Sequence, residues 1–184
     1  RVDLFDTDLI FIKQFGEEAN IKIANEQGTY PGVTREEKLV GTTAGALAKQ
    51  LMRPIQTVGP EHYKMPFHYW TCSAAPIQLN DGTLLGILNL SGYFVQAHEH
   101  TLGMTIAITK AIEYCYSQNQ IRMEIEITKK YVDGIINTIS DGIIATDTEG
   151  NIQIMNKRAG HILQVVPADL MNKCVRGCYE RQSS

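Results

Sequence analysis

The stretch Trp70–Ser91, with the sequence WTCSAAPIQLNDGTLLGILNLS, decides the fold. Its two apolar runs, 70–79 and 83–91, flank an Asn-Asp-Gly tripeptide, which is a strong turn signal between antiparallel strands. Side chains alternate between the two faces of a strand, so each run has two distinct faces. In the first run, one face is predicted to carry Trp70, Cys72, Ala74 and Pro76, and the other Thr71, Ser73, Ala75 and Ile77.

Small residues in this hairpin predict that something lies very close to the sheet. Gly86 and the run Ser73–Ala75 leave little side-chain volume above the backbone. A helix or a ligand would fill that space, and a helix is the commoner occupant.

The residues before the hairpin predict alternating strands and short helices. We expect strands at 8–16 and 55–59 and helices at 17–25 and 41–52. Thr42 or Thr43 is a suitable N-cap for the second helix, and Pro54 cannot continue it. Its opening, GTTAG, lacks the later glycine and lysine of phosphate-binding loops, which favours packing against a sheet over anion binding. The polar and aromatic segment 60–69 predicts a short helix or a lid loop.

The residues after the hairpin predict one long helix, from about Thr101 to Ile139. Apolar positions recur at steps of three and four, and they are mostly Ile and Val in the second half. This spacing favours a coiled coil and hence a homodimer, although two ordinary amphipathic helices in phase would produce the same pattern.

A second hairpin is predicted at 141–156, with Glu149-Gly150 at its turn. A helix at 157–163 and a loop around Pro167 follow. Too few residues remain for a complete sheet, so we expect this module to be truncated.

Composition excludes several classes of protein. The 184 residues are 43% hydrophobic with a net charge of −3, and no basic stripe suited to nucleic acid is present. No run is apolar enough for a membrane helix and no signal peptide is evident, which predicts a cytoplasmic protein. Four scattered cysteines predict reduced thiols. The Cys174–Cys178 spacing differs from that of zinc or redox motifs.

Several blocks resemble the GAF domain of bacterial sigma-54-dependent activators, especially the acetoin-operon group. They are GTTAG (41–45), GPEHY (59–63), FHYWTCSAAPI (67–77), DGTLLGILNLSG (81–92) and HEHTLGM (98–104). The block SDGIIATDTEGNIQIMNKRAGHIL (140–163) resembles the opening half of a PAS domain.

The resemblance implies an α+β fold with a GAF-like domain at 1–118, a connecting signalling helix at 119–139 and a partial PAS-like domain at 140–184. In full-length relatives an AAA+ ATPase and a DNA-binding domain follow, and neither motif is present here. Thr43 and Asn89 stand where the group usually has Asn and an acidic residue, which bears on the identity of the ligand.

The first functional hypothesis is a sensor that binds a small-molecule effector between the sheet and the 60–69 segment. Tyr63, Phe67 and Trp70 would supply walls, and His62, His68 or Asn89 a hydrogen bond. Cys72 completes the predicted ligand-binding set. Each of these residues alone is equally explained by ordinary packing, and only their clustering favours a pocket. No cofactor and no contact with nucleic acid or membrane is predicted.

Three other hypotheses use the same stretch. A metal site would draw on Cys72 and four histidines, but His98 and His100 should diverge at a helix start. An enzyme would pair Cys72 with His62 or His68, but a mid-strand cysteine favours simple burial, so no enzyme is predicted. A purely structural dimerisation module is the remaining alternative.

Overall fold

A computed structural model describes residues 1–175 of the chain. Cys178, and with it the end of the predicted PAS-like domain, lies outside the described residues. The chain divides into two compact units, Arg1–Asn119 and Gln120–Ser184, which are described separately. The predicted domain limits at 118 and 139 stay predictions.

The first unit contains a five-stranded antiparallel sheet with the spatial order β2-β1-β5-β4-β3. The strands are β1 (Val2–Phe5), β2 (Phe11–Phe15), β3 (Ile55–Val58), β4 (Trp70–Gln78) and β5 (Leu84–Tyr93). The predicted hairpin forms β4 and β5 and lies at the centre of the sheet. β1, which the sequence analysis did not identify, pairs with both β2 and β5.

Short helices and single 3-10 turns surround the sheet. The α-helices are α1 (Glu18–Glu26), α2 (Glu37–Val40) and α3 (Ala44–Leu51), and the 3-10 turns are Gly59–Glu61, Met65–Phe67 and Phe94–Gln96. The predicted N-cap at Thr43 is confirmed, because its hydroxyl oxygen accepts a hydrogen bond from the Ala46 amide at 3.2 Å. α3 ends before Met52, which adopts a left-handed conformation with φ of 51°.

A helix packs against each face of the sheet, which explains the small residues of β4. On one face, Ala44 and Ala48 of α3 are fully buried with Ala74 in a core that also holds Phe11 and Ile87. On the other face, α4 (Glu99–Thr138) approaches β4, and the Thr105 hydroxyl donates to the Ser73 carbonyl at 3.4 Å. The small side chains therefore accommodate helices. At Gly86 the close neighbour is instead the Phe5 backbone carbonyl.

The second unit takes in the C-terminal part of α4 and a small hairpin. β6 (Ile144–Thr146) pairs with β7 (Ile152–Met155), followed by α5 (Lys157–Leu163) and α6 (Pro167–Leu170). The expected loop around Pro167 is wrong, because proline begins this short helix, a position where its missing N–H has no cost. Ile152, Met155 and Ala159 form the core.

Asn156 fixes the start of α5. Its Oδ1 accepts hydrogen bonds from the amides of Ala159 at 2.8 Å and Ile143 at 2.9 Å. Its Nδ2 donates to the carbonyls of Ile136 and Asp141. Because Asn156 is 1% exposed and every polar atom of its amide is paired, it ties the hairpin to the helices on either side.

The helical pattern predicted from about Thr101 is confirmed as α4. In the first unit its buried positions are Thr105 and Thr109. The apolar positions of α4 that recur at steps of three and four, called the seam below, are exposed. They include Ile121 (51%), Ile125 (62%), Val132 (43%) and Ile135 (62%). None of the helices in the described part of the chain is long and apolar enough to cross a membrane.

Candidate functional site

A cavity of about 40 Å³ lies in the first unit, against the face of the sheet that carries Trp70 and Cys72. β1, β4 and β5 supply its floor, through side chains that alternate toward this face. The start of α3, the loop between β1 and β2 and the segment between α1 and α2 supply its walls, and the two 3-10 turns before β4 cover it. Trp70 and Cys72, which alternation predicts to share one face of β4, both line this cavity.

Trp70 is held from three directions. It is 4% exposed, its ring stacks on Tyr93 at a centroid distance of 5.2 Å, and its Nε1 donates to Gln27 Oε1 at 2.7 Å. The Arg1 guanidinium carbon lies 5.1 Å from its ring centroid. The predicted role of Trp70 as a cavity wall agrees with this geometry.

The floor of the cavity carries a buried polar network. Arg1 Nε lies 2.8 Å from Asp3 Oδ1, and both side chains are more than nine-tenths buried. Asp3 Oδ2 also accepts hydrogen bonds from Asn89 Nδ2 at 3.1 Å and from the Ser91 hydroxyl at 3.3 Å. Cys72 Sγ lies 3.4 Å from the Ser91 oxygen. Asp3 Oδ2 therefore has several donors, whereas Asp3 Oδ1 has the ion-pair contact with Arg1 but no hydrogen-bond partner among the described residues.

His62 lines the cavity, but both of its ring nitrogens are occupied by the protein. Nδ1 lies 3.0 Å from the Gly59 carbonyl and Nε2 lies 2.9 Å from the Thr57 hydroxyl. Since a carbonyl only accepts, Nδ1 carries the proton and Nε2 accepts from Thr57. Burial lowers the pKa of His62 below its ordinary value. His62 thus holds the covering segment in place as a neutral imidazole.

Two predicted site residues lie elsewhere, and the expectation that they line the pocket is wrong. Tyr63 is 76% exposed and covers Gly41 on the outside of the domain. His68 does not line the cavity, because its Nε2 instead reaches the His62 carbonyl at 3.0 Å. Tyr63 lies between the two 3-10 turns and His68 follows the second, so side chains that are close in sequence are separated in space.

Arg35 is one of the lining residues that the sequence did not predict. It lies in the loop before α2, where its amide donates to the Leu9 carbonyl at 2.8 Å. This bond turns the side chain toward the cavity, and the guanidinium carbon lies 4.5 Å from the Phe67 ring centroid. Phe67 is 7% exposed and forms a wall as predicted. No local pattern around Arg35 signals its burial.

The geometry gives no support to catalysis or to a metal site. Burial raises the pKa of the Cys72 thiol, which disfavours the thiolate that a nucleophile requires. His98 and His100 do not diverge as expected, because their rings stack at 4.5 Å. Within residues 1–175, no group of three or more His, Cys, Asp or Glu is placed to hold a metal ion.

We expect His62 to make stability depend on pH. A lowered pKa in the folded state means that the unfolded state binds more protons below about pH 6.5, so stability falls as pH decreases through that region. Urea unfolding between about pH 7.5 and about pH 5.5 should show a larger loss for the wild type than for His62→Gln. The exposed His98→Gln control should follow the wild type. An equal loss in His62→Gln would contradict this assignment.

Comparisons with known proteins find bacterial regulators that are similar to this chain. It is 34% identical over 160 residues to a signal-transduction and transcriptional-control protein of Clostridium beijerinckii, covering 87% of this chain. It is 32% identical over 128 residues to the acetoin dehydrogenase operon transcriptional activator AcoR of Bacillus subtilis, covering 70% of this chain. The chain is related to bacterial transcriptional regulators. The resemblance to the acetoin-operon activators is thereby confirmed.

The matched region is only part of these relatives. The chain spans 25% of the length of the Clostridium protein and 21% of that of AcoR. Its α+β fold is confirmed by the crystal structure of the Escherichia coli DhaR(N)–DhaL complex, with a TM-score of 0.87 and 20% identity. That match covers 96% of this chain and 60% of the other. No protein-family profile matches the chain.

Proposed function

We propose that this chain is the sensory region of a sigma-54-dependent transcriptional activator, in which the GAF-like domain binds a small metabolite in the cavity beside Trp70. The observation that carries the proposal is a partly enclosed cavity lined by aromatic side chains and by polar groups from six separate segments of the chain. Ligand sites are typically concave, with a few placed polar groups among apolar ones. The relatedness to AcoR supports a regulatory output.

Strand β4 supplies a physical route from the cavity to α4. Trp70 and Cys72 face the cavity, whereas Ser73 faces α4 and accepts a hydrogen bond from Thr105. At the end of the strand, the Gln78 amide donates to Glu113 Oε1 at 2.8 Å. A ligand that shifts β4 would therefore change how α4 packs against β4. This requires that the ligand binds the shifted and unshifted arrangements of β4 with different affinity.

Filling the cavity should abolish effector binding. Cys72→Met adds volume toward the cavity, and the exposed Cys115→Met is the matched control. We expect one class among ketols, polyols, amino acids and organic acids to raise the Tm and change Trp70 fluorescence in wild type and Cys115→Met. Ligand at 100 times its Kd stabilises a protein by about 2.7 kcal/mol.

Cys72→Met should lose both responses while it keeps its near-ultraviolet circular dichroism. The absence of any response in the wild type across the whole panel would contradict metabolite binding.

The proposed relay ends in a dimer formed along the exposed seam of α4. Seam residues such as Ile125 are spaced to meet their equivalents in a second copy, and their exposure in a single chain is consistent with that role. Ile125→Asp is therefore expected to shift the chain from dimer to monomer in sedimentation equilibrium at micromolar protein.

Ile127→Asp is the control for the seam. Ile127 is 52% exposed and lies outside the three-and-four spacing of the seam, so it should tolerate the charge. A wild-type chain that is already monomeric, or equal effects of the two variants, would contradict the coiled-coil relay.

A further inference from the structure

The cavity contains a positive charge that the protein does not balance. Arg1 and Asp3 neutralise each other as an ion pair. Arg35 lines the same cavity, and among residues 1–175 the structure records no ion pair and no side-chain hydrogen bond for its guanidinium. An arginine keeps its proton at neutral pH, so the side chains that line the cavity have a net charge of about +1. A half-buried charge without a partner favours an anionic ligand.

The N-terminus of α3 points at the same space. Thr43, Ala44 and Gly45 line the cavity, and Thr43 satisfies only the Ala46 amide. For the Ala44 and Gly45 amides, no acceptor is recorded within the described part of the chain. Both residues are buried, so water cannot replace the missing acceptor freely. Free amides at the start of a helix, together with the helix dipole, attract negative charge.

Asn89 lines the cavity and has an unpaired acceptor atom. The residue is 6% exposed, and its Nδ2 is occupied by Asp3 and by the Ser91 hydroxyl at 2.8 Å. Its buried Oδ1 has no partner among the residues that the structure describes. Buried polar atoms in native proteins are nearly always paired, so a hydrogen-bond donor of a ligand would complete this atom.

We propose that the effector is a short hydroxycarboxylate, bound with its carboxylate at Arg35 and the α3 N-terminus and its hydroxyl donating to Asn89 Oδ1. This inference rests on the proposed function and specifies its ligand. The cavity of about 40 Å³ is much smaller than the roughly 150 Å³ that accommodates benzene, so only a short ligand is expected, and the lining side chains must move to admit it. Arginine suits the carboxylate because its planar fork forms two parallel hydrogen bonds.

Calorimetric titration of the full chain with three matched sets of probes tests the proposal. The sets are the hydroxycarboxylates glycolate, L-lactate, D-lactate and 3-hydroxybutyrate; the hydroxyl-free acids acetate and propionate; and the neutral compounds lactamide, acetoin and 1,2-propanediol. At least one hydroxycarboxylate should bind, and its neutral counterpart should bind at least about ten-fold more weakly, because it cannot form the charged hydrogen bonds to Arg35. The hydroxyl-free acid should also bind more weakly, because Asn89 Oδ1 then stays unpaired.

Arg35→Gln should weaken the same hydroxycarboxylate at least about ten-fold. The matched control Arg53→Gln, which removes an exposed arginine outside the cavity, should bind as the wild type does. Should Arg35→Gln fail to fold, the comparison of lactate with lactamide in the wild type still tests whether the ligand must carry a carboxylate.

The outcomes separate this inference from the proposed function. Preferential binding of a neutral compound, or equal binding by Arg35→Gln, would overturn the hydroxycarboxylate assignment and leave metabolite sensing intact. No binding in any set, with unchanged Trp70 fluorescence across the wider metabolite panel, would overturn both.

Discussion

Replacing Asp3 with alanine is expected to lower the free energy of unfolding by about 3–5 kcal/mol, the loss typical of breaking a buried ion pair. Arg1 and Asp3 are 6% and 1% exposed, so the variant leaves a buried guanidinium without its counter-charge. Asn89 Nδ2 and the Ser91 hydroxyl lose their shared acceptor as well. Urea unfolding followed by circular dichroism measures the difference.

Two further variants distinguish charge from packing at this position. Arg1→Met combined with Asp3→Leu removes both charges and should recover part of the loss, because apolar replacements of a buried pair are often well tolerated. Glu26→Ala removes an exposed carboxylate and should change stability by less than about 0.5 kcal/mol. A loss below about 1 kcal/mol in Asp3→Ala would mean that the Arg1 side chain reaches water once its partner is removed.

The central hairpin was predictable because its determinants are local. Asn80-Asp81-Gly82 defines the turn, and alternation then assigns Trp70 and Cys72 to one face without any long-range information. The N-cap at Thr43 and the end of α3 before Pro54 are equally local. In the long helix α4, periodicity alone indicated the element, although not which of its positions the first unit buries.

The cavity was less predictable because its chemistry comes from distant segments. Asp3 belongs to a four-residue strand that is recognisable only through its pairing with β5. Arg35 reaches the cavity because its backbone bonds to Leu9, a contact that no spacing of residue types encodes. Tyr63 is the reverse case, a residue that was predicted to line the cavity and does not. It follows His62 in the sequence, but its side chain lies on a different surface. Face assignment works in strands and fails in irregular segments.

Gly86→Ala is expected to destabilise the first unit by about 3 kcal/mol, at the upper end of overpacking losses. A Cβ at this position would press against the Phe5 carbonyl oxygen, closer than van der Waals contact permits. The obstacle is backbone of the neighbouring strand β1, so no side-chain rotation relieves it, and the β1–β5 pairing must shift. Asp3 lies on that same strand, so the cavity floor would be disturbed as well.

Gly92→Ala is the control, because it makes the same change in the same strand. There the nearest atom to an added Cβ is Thr71 Cγ2 at 3.9 Å, an ordinary contact. Alanine restricts the unfolded chain more than glycine, so this variant should be unchanged or more stable by about 0.4–1 kcal/mol. Equal unfolding midpoints for the two variants would show that β1 can move away from β5 at little cost. The sheet would then be pliable at the strand that holds Asp3.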